Sequence, residues 1–133
     1  MIENSGVDDR SILVVEDEDG VRLVVQTALE DAGFQVTTAA NGLEASRLLS
    51  AAEFALVLTD VIMPDRDGIE VIGELRRRHP DVPVIAMSGG GRLPCEGYLT
   101  IARHLGAHAI LQKPFTSEQL MATVTRLLEP AAV

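Results

Sequence analysis

Charged side chains stand at the ends of three apolar runs of this chain, where buried strands would stop. They are Glu16, Asp17, Asp60 and Lys113. The runs before them consist mainly of Val, Leu, Ile and Ala, a composition that indicates strands buried within a sheet. In an open parallel sheet, the carboxyl ends of neighbouring central strands meet at one crevice. We therefore expect these carboxylates and this ammonium group to converge, although they are far apart in sequence.

This combination of charges suits a divalent cation and a phosphoryl group. Mg²⁺ prefers oxygen ligands and usually retains several waters, so Asp17 and Asp60 would each supply one oxygen and Glu16 would hold a coordinated water. One carboxylate would then act as a nucleophile towards phosphorus and form an aspartyl phosphate. Lys113 would neutralise a phosphoryl oxygen, and Ser88, which follows the fourth apolar run, would donate a hydrogen bond to another.

Five apolar runs alternate with five segments of helical period along the chain. The strands are predicted over residues 11–16, 34–39, 55–59, 82–87 and 108–112. The helical segments are predicted to end near Ala32, Ala52, His79, Leu105 and Leu128. Asn41 and Thr116, each followed three residues later by Glu or Gln, are typical helix N-caps. Strict alternation favours an α/β protein with a doubly wound parallel sheet and right-handed crossovers.

The length of 133 residues corresponds to one domain. We expect a short polar tail over residues 1–10, the domain over residues 11–129 and a second tail over residues 130–133, with no output domain. The net charge of −9 argues against a nucleic-acid partner, because such binding depends largely on neutralising phosphates.

The composition also bears on the compartment. The first residues lack the basic and then apolar pattern of a signal peptide, and no apolar run approaches the roughly 20 residues that cross a bilayer. Cys95 is the only cysteine in the sequence, which excludes an internal disulfide and favours a reducing compartment. These features predict a cytoplasmic protein that does not associate with a membrane.

Four short motifs, in this order and at these strand ends, resemble the receiver domain of bacterial two-component response regulators. They are residues 15–19, residues 59–68, Met87-Ser88 and Lys113-Pro114-Phe115. The resemblance extends over about residues 12–128, nearly the whole chain. It implies the flavodoxin-like receiver fold, a five-stranded parallel sheet in the order 2-1-3-4-5 flanked by five helices. It also implies a stand-alone receiver similar to chemotaxis regulators.

The resemblance further implies a phosphorylation site and its metal. Asp60 would accept a phosphoryl group from a sensor histidine kinase or a phosphotransfer protein. Asp17 and Asp60 would bind Mg²⁺ through their side chains, Ile62 through its backbone carbonyl, and Glu16 through a water molecule. By the same resemblance, the protein is not an enzyme acting on other substrates, since it would catalyse only its own phosphorylation and dephosphorylation.

Switching and output are also implied by the resemblance. Ser88 would be the switch hydroxyl and Lys113 the phosphate-binding lysine, with a cis peptide bond between Lys113 and Pro114. The surface read by a downstream protein would comprise the fourth helix, fifth strand and fifth helix of the prediction, including Tyr98, Arg103 and Ile110. Family members often carry Tyr or Phe where this chain has Ile110, so switching by an aromatic ring is not expected.

Three alternative functions are open to a sequence of this kind. A phosphohydrolase with an aspartyl nucleophile typically has a second Asp two residues later, where this chain has Ile62. A protein-binding adaptor that is never phosphorylated would not need the complete set of charged residues. A flavodoxin-like cofactor carrier would need a Ser/Thr-rich loop after the first strand. The sequence does not distinguish an output switch from a relay intermediate or a phosphate sink.

Overall fold

The computed structural model describes residues 9–61, 68–88 and 106–128, together with Thr100 and His104. Its core is a sheet of five strands in the spatial order β2-β1-β3-β4-β5. The strands are β1 Ser11–Val15, β2 Gln35–Ala39, β3 Leu56–Asp60, β4 Val84–Ser88 and β5 Ala109–Gln112. All four neighbouring pairs are parallel. The predicted sheet and its order are therefore confirmed.

Four helices lie within the described residues, rather than the five predicted. They are α1 Asp19–Asp31, α2 Gly42–Ala51, α3 Gly68–Arg78 and α4 Ser117–Leu128. The fourth predicted helix falls largely outside the described ranges, although Thr100 and His104 are both helical. The helix labelled α4 is thus the fifth of the prediction. None of the helices in the described ranges combines the length and apolar character needed to cross a membrane.

Helices cover both faces of the sheet, as a doubly wound architecture requires. Successive strand residues point to opposite faces. Leu13 and Val57 pack on one face with buried residues of α2 and α3. Ile12 and Leu58 pack on the other face with buried residues of α1 and α4. Every residue of β3 and β4 is buried, which explains why those strands read as nearly continuous apolar runs.

Side-chain caps define the start of two helices. The Asn41 side chain accepts a hydrogen bond from the Glu44 backbone N–H at 2.8 Å, and the Glu44 carboxylate accepts one from the Ala40 N–H at 2.6 Å. At the start of α4, the Thr116 hydroxyl accepts from the Gln119 backbone N–H at 3.0 Å, and the Gln119 side-chain oxygen accepts from the Thr116 N–H at 2.9 Å. Both predicted N-termini are therefore confirmed, because each cap satisfies backbone donors that a helix start leaves open.

His108, the residue before β5, is hydrogen-bonded to β4 through both its backbone and its ring. Its N–H donates to the Val84 carbonyl at 2.7 Å, and its Nδ1 accepts from the Val84 N–H at 3.1 Å. Partial burial of the ring, with a smaller contribution from the charge of Arg76, lowers the pKa of His108 below the ordinary value of 6.5. The neutral imidazole is therefore the form that the fold accommodates.

We expect the free energy of unfolding to fall as the pH is lowered from about 6.5 towards the pKa of His108 in the folded protein. In that window the unfolded chain binds a proton that the folded chain resists. NMR titration of the ring gives the pKa directly, and urea unfolding of native protein and His108→Gln gives the accompanying stability change. A His108 pKa at or above 6.5 would contradict the prediction.

Candidate functional site

The polar residues predicted from the sequence lie at the carboxyl ends of four adjacent strands. Glu16 directly follows β1, and Lys113 directly follows β5. Asp60 and Ser88 are the last residues of β3 and β4. The backbone N–H of Lys113 donates to the Ser88 carbonyl at 2.9 Å, so pairing between β4 and β5 continues to the site. The strand register therefore places residues from distant parts of the chain at one crevice.

The ammonium group of Lys113 joins two buried carboxylates at this crevice. Its Nζ donates to Glu16 Oε1 at 2.6 Å and to Asp60 Oδ2 at 3.2 Å. The side chain of Glu16 is 1% exposed and that of Asp60 is 8% exposed. The peptide bond between Lys113 and Pro114 is cis, as predicted. Charge-assisted hydrogen bonds in such surroundings are stronger than neutral ones.

Glu16 is held at every polar atom. Its backbone N–H donates to the Ala39 carbonyl at 3.0 Å, and its own carbonyl accepts from the Arg22 guanidinium at 2.9 Å. Its two carboxylate oxygens accept from Lys113 and from the Glu18 N–H, the latter at 3.1 Å. Arg22 does not stand out in the sequence, because a single basic residue one turn into a helix is ordinary on a protein surface.

Three carboxylates of the crevice are close enough to share a cation. One oxygen each from Glu16, Asp17 and Asp60 lies within 4.8 Å of the others. Asp17 is exposed, whereas Glu16 and Asp60 are buried. An oxygen-only donor set that is partly open to solvent fits Mg²⁺, which keeps several of its waters. The backbone carbonyl predicted to complete the set belongs to Ile62, which lies outside the described residues.

Ser88 places a buried hydroxyl beside this charged cluster. The residue is 3% exposed, and its Oγ has no hydrogen-bond partner within the described part of the chain. A buried polar group without a partner is costly, generally by about 1–3 kcal/mol. An oxygen atom entering the crevice would offset this cost by accepting the hydroxyl proton.

Burial and charge move the pKa values of two ionisable groups of the site, Glu16 and Lys113. Burial raises the pKa of Glu16 above 4.5, and the charge of Asp60 adds to that rise, while the hydrogen bond from Lys113 opposes it. Burial alone would lower the pKa of Lys113, but the hydrogen bond with Glu16 and the charge of Asp60 outweigh it and raise that pKa above 10.5. Lys113 therefore stays protonated, and the carboxylates favour a cation.

We expect Lys113→Met to lower the free energy of unfolding at pH 7 by about 3 kcal/mol, the usual order for removing one partner of a buried ion pair. Glu16 and Asp60 would lose the ammonium group that they share. The loss should shrink towards pH 5, because the raised pKa of Glu16 lets that carboxylate protonate early. Urea unfolding at both pH values, with Lys113→Arg as the charge-conserving control, measures this. An equal loss for both variants, or none for either, would refute the prediction.

Comparison of the sequence with known proteins shows which family the chain resembles. Residues 12–125 match the family described as response regulator receiver domain. The sensor kinase CckA of Brucella abortus (strain 2308) is 40% identical over 124 residues, which are 90% of this chain and 12% of that protein. The response regulator Rre1 of Synechocystis is 41% identical over 123 residues, which are 89% of this chain and 51% of that protein. The chain thus spans about half or less of the length of these curated relatives.

Solved structures show the same fold over most of the chain. The receiver domain of NtrX from Brucella abortus aligns with a TM-score of 0.82 and 30% identity, covering 90% of this chain and 99% of that one. The chemotaxis protein CheY4 of Vibrio cholerae aligns with a TM-score of 0.79 and 31% identity, covering 88% and 97%. The match over residues 12–125, on a parallel sheet of the expected order, shows that this chain belongs to the family of response regulator receiver domains.

Proposed function

We propose that the protein accepts a phosphoryl group on Asp60 from the phosphohistidine of a sensor histidine kinase or a phosphotransfer protein. The observation that carries this proposal is the contact of Lys113 Nζ with both Glu16 and Asp60 at the carboxyl end of the sheet. This contact supports the proposal because Asp60, which would be the nucleophile, lies next to an ammonium group that would compensate charge, and three carboxylates that would hold a cation share the same crevice. Membership of the receiver family supports the same chemistry.

In the proposed transfer, one Asp60 carboxylate oxygen attacks phosphorus as the bond from phosphorus to the donor's imidazole nitrogen breaks. The released nitrogen keeps the bonding electron pair and takes up a proton. Phosphoryl transfer depends mainly on positioning and charge compensation. Lys113, already 3.2 Å from Asp60, would compensate one phosphoryl oxygen. The Ser88 hydroxyl, which has no protein partner among the described residues, would donate to another.

Mg²⁺ is the metal that we propose for the three carboxylates. Asp17 and Asp60 would bind it directly, Glu16 through a water molecule and Ile62 through its carbonyl, and the cation would neutralise charge on the phosphoryl oxygens. The donor set supports a hard cation because it contains only oxygen atoms. The buried position of Glu16 and its contact with Lys113 favour an indirect rather than a direct role in coordination.

Phosphorylation is tested by intact mass after incubation with acetyl phosphate and MgCl₂. We expect a gain of one phosphoryl group, because Asp60 lies among the groups that neutralise it. The gain should be absent from Asp60→Asn and from native protein treated with EDTA. Asp17→Asn should lower the extent of labelling, since it removes a proposed metal ligand but leaves the nucleophile.

Two outcomes would overturn this assignment. Labelling of Asp60→Asn to the native extent would move the site to another residue. No labelling of the native protein by acetyl phosphate or by phosphohistidine donors would favour the alternative of an adaptor that is not phosphorylated. A search for proteins that bind the unmodified chain would then follow.

The donor protein would reach Asp60 across an apolar groove beside the crevice. The groove has a volume of about 920 Å³, and its lining includes Lys113, whose Nζ also contacts Asp60. The remaining lining residues come from the start of α1 and the turn before α4: Glu18, Gly20, Val21, Val24, Val25, Pro114 and Phe115. Exposed apolar surface is typical of sites that bind another protein or a ligand, and its position next to the buried acceptor supports docking of a donor protein here.

We expect Val24→Gln to slow phosphotransfer from any histidine kinase that phosphorylates the native protein, while labelling by acetyl phosphate stays unchanged. Val24 is 68% exposed in the groove, so the change should affect docking and leave the fold intact. Leu43→Gln is the matched control, because Leu43 is 52% exposed on α2 and lies away from the groove. Equal slowing by both variants, or slowing with acetyl phosphate, would contradict the docking role.

Output would follow from changes on the side of the site formed by β5, the edge strand of the sheet. We propose that a downstream protein binds the surface that includes β5 and α4, where Ile110 is half-buried against the core shared with α2 and α3. Tyr98 and Arg103, which were predicted on the same surface, lie outside the described residues. We further propose a cytoplasmic location and no role as an enzyme on other substrates, in keeping with a phosphoacceptor.

A further inference from the structure

We infer that Arg22 is a positioning residue of the site, which directs the Asp17 carboxylate towards the proposed cation by holding the Glu16 carbonyl. The inference rests on the proposed function, because it assigns Arg22 to the Mg²⁺ site. Arg22 itself belongs to the first turns of α1 and does not contribute a ligand atom. Its role depends on one backbone contact.

The contact acts on the peptide group that joins Glu16 to Asp17. Arg22 NH1 donates to the Glu16 carbonyl at 2.9 Å. A peptide group is planar, so fixing its carbonyl also fixes the direction in which the next residue leaves it. The Glu16 N–H is held in turn by the Ala39 carbonyl at 3.0 Å. Both peptide groups of Glu16 are therefore restrained. The one that follows Glu16 sets the direction in which the chain continues into Asp17.

Asp17 needs such a restraint more than the other two acids do. Asp60 ends a fully buried strand, and Glu16 is fixed by Lys113 and by the Glu18 N–H. Asp17 is exposed and lies in the short connection between the end of β1 and the start of α1. Its side-chain direction therefore depends on the backbone of this connection, which Arg22 holds.

The second contact of Arg22 does not account for its position. Arg22 NH2 lies 2.5 Å from Asp19 Oδ1, but the Asp19 side chain is 90% exposed, whereas that of Arg22 is 21% exposed. Exposed ion pairs contribute little to stability. The contact with the Glu16 carbonyl is the partly buried one. Asp19 therefore steadies a guanidinium group whose main interaction is with the Glu16–Asp17 peptide.

Charge and positioning predict opposite effects when Arg22 is removed. Loss of a positive charge near three carboxylates would by itself strengthen the binding of a cation, since like charges repel. Loss of a contact that orients a ligand weakens binding, typically 10- to 100-fold for outer-sphere partners of a metal site. The direction of the change therefore separates the two roles without measuring phosphorylation.

The test is an NMR titration of the ¹⁵N-labelled protein with MgCl₂, following the amide signals of Asp17 and Glu18. We expect Arg22→Met to weaken Mg²⁺ binding about tenfold and to shift these amide signals even before Mg²⁺ is added. Arg22→Lys keeps the charge but has a shorter side chain with a single nitrogen. Its affinity for Mg²⁺ should therefore lie between those of Arg22→Met and the native protein. It also serves as the test variant if Arg22→Met does not fold.

Arg10→Met is the matched control for a purely structural effect. Arg10 likewise donates to backbone carbonyls, those of Ala32 and Gly33 at 2.9 Å each, but at the other end of α1. The variant Arg10→Met should lower the unfolding temperature and leave the Mg²⁺ affinity at the native value. Native affinity or tighter binding in Arg22→Met overturns the inference alone. Absence of site-specific Mg²⁺ binding in the native protein overturns the metal site of the proposed function, and the inference with it.

Discussion

The shared ammonium group of Lys113 is the interaction on which the site depends. Burial at the end of the sheet, and in addition the repulsion between the two carboxylates, disfavours ionisation and raises the pKa of Glu16. Lys113 lies within hydrogen-bond distance of both and makes their burial tolerable. Buried ion pairs seldom add net stability compared with apolar packing. A buried charge network of this kind is typical of functional sites, and here charge is concentrated and partly compensated within the crevice.

The sheet provides this arrangement because its strands are parallel and are covered on both faces. Parallel pairing aligns the carboxyl ends of β1, β3, β4 and β5 at one edge. Helices on either side exclude water from the strands and leave that edge as the opening. A phosphoryl group on Asp60 would compete with Glu16 for Lys113 and would give the Ser88 hydroxyl an acceptor. The charge change would then act on the ends of β4 and β5, next to the proposed output surface.

Local features of the fold were predictable from residues close in sequence. The strands were found because apolar runs of the right length alternate with helical periodicity, and the caps at Asn41 and Thr116 were found because each depends on a residue three positions later. The helix between β4 and β5 was predicted by the same periodicity but falls largely outside the described residues. The cis bond before Pro114 followed from resemblance to the family rather than from any local rule.

By itself, the sequence determined the type and order of the elements, the family and the residues that stand at strand ends. The elements depend on periodicity and capping, which near neighbours encode, and the family depends on short motifs that follow one another in a fixed order along the chain. Only the tertiary structure decided which side chains touch. The 2.6 Å contact between Lys113 and Glu16 joins residues 97 positions apart, and the Arg22 contact with the Glu16 carbonyl depends on where α1 docks against the sheet. Such contacts depend on strand register and helix packing, which no local pattern specifies.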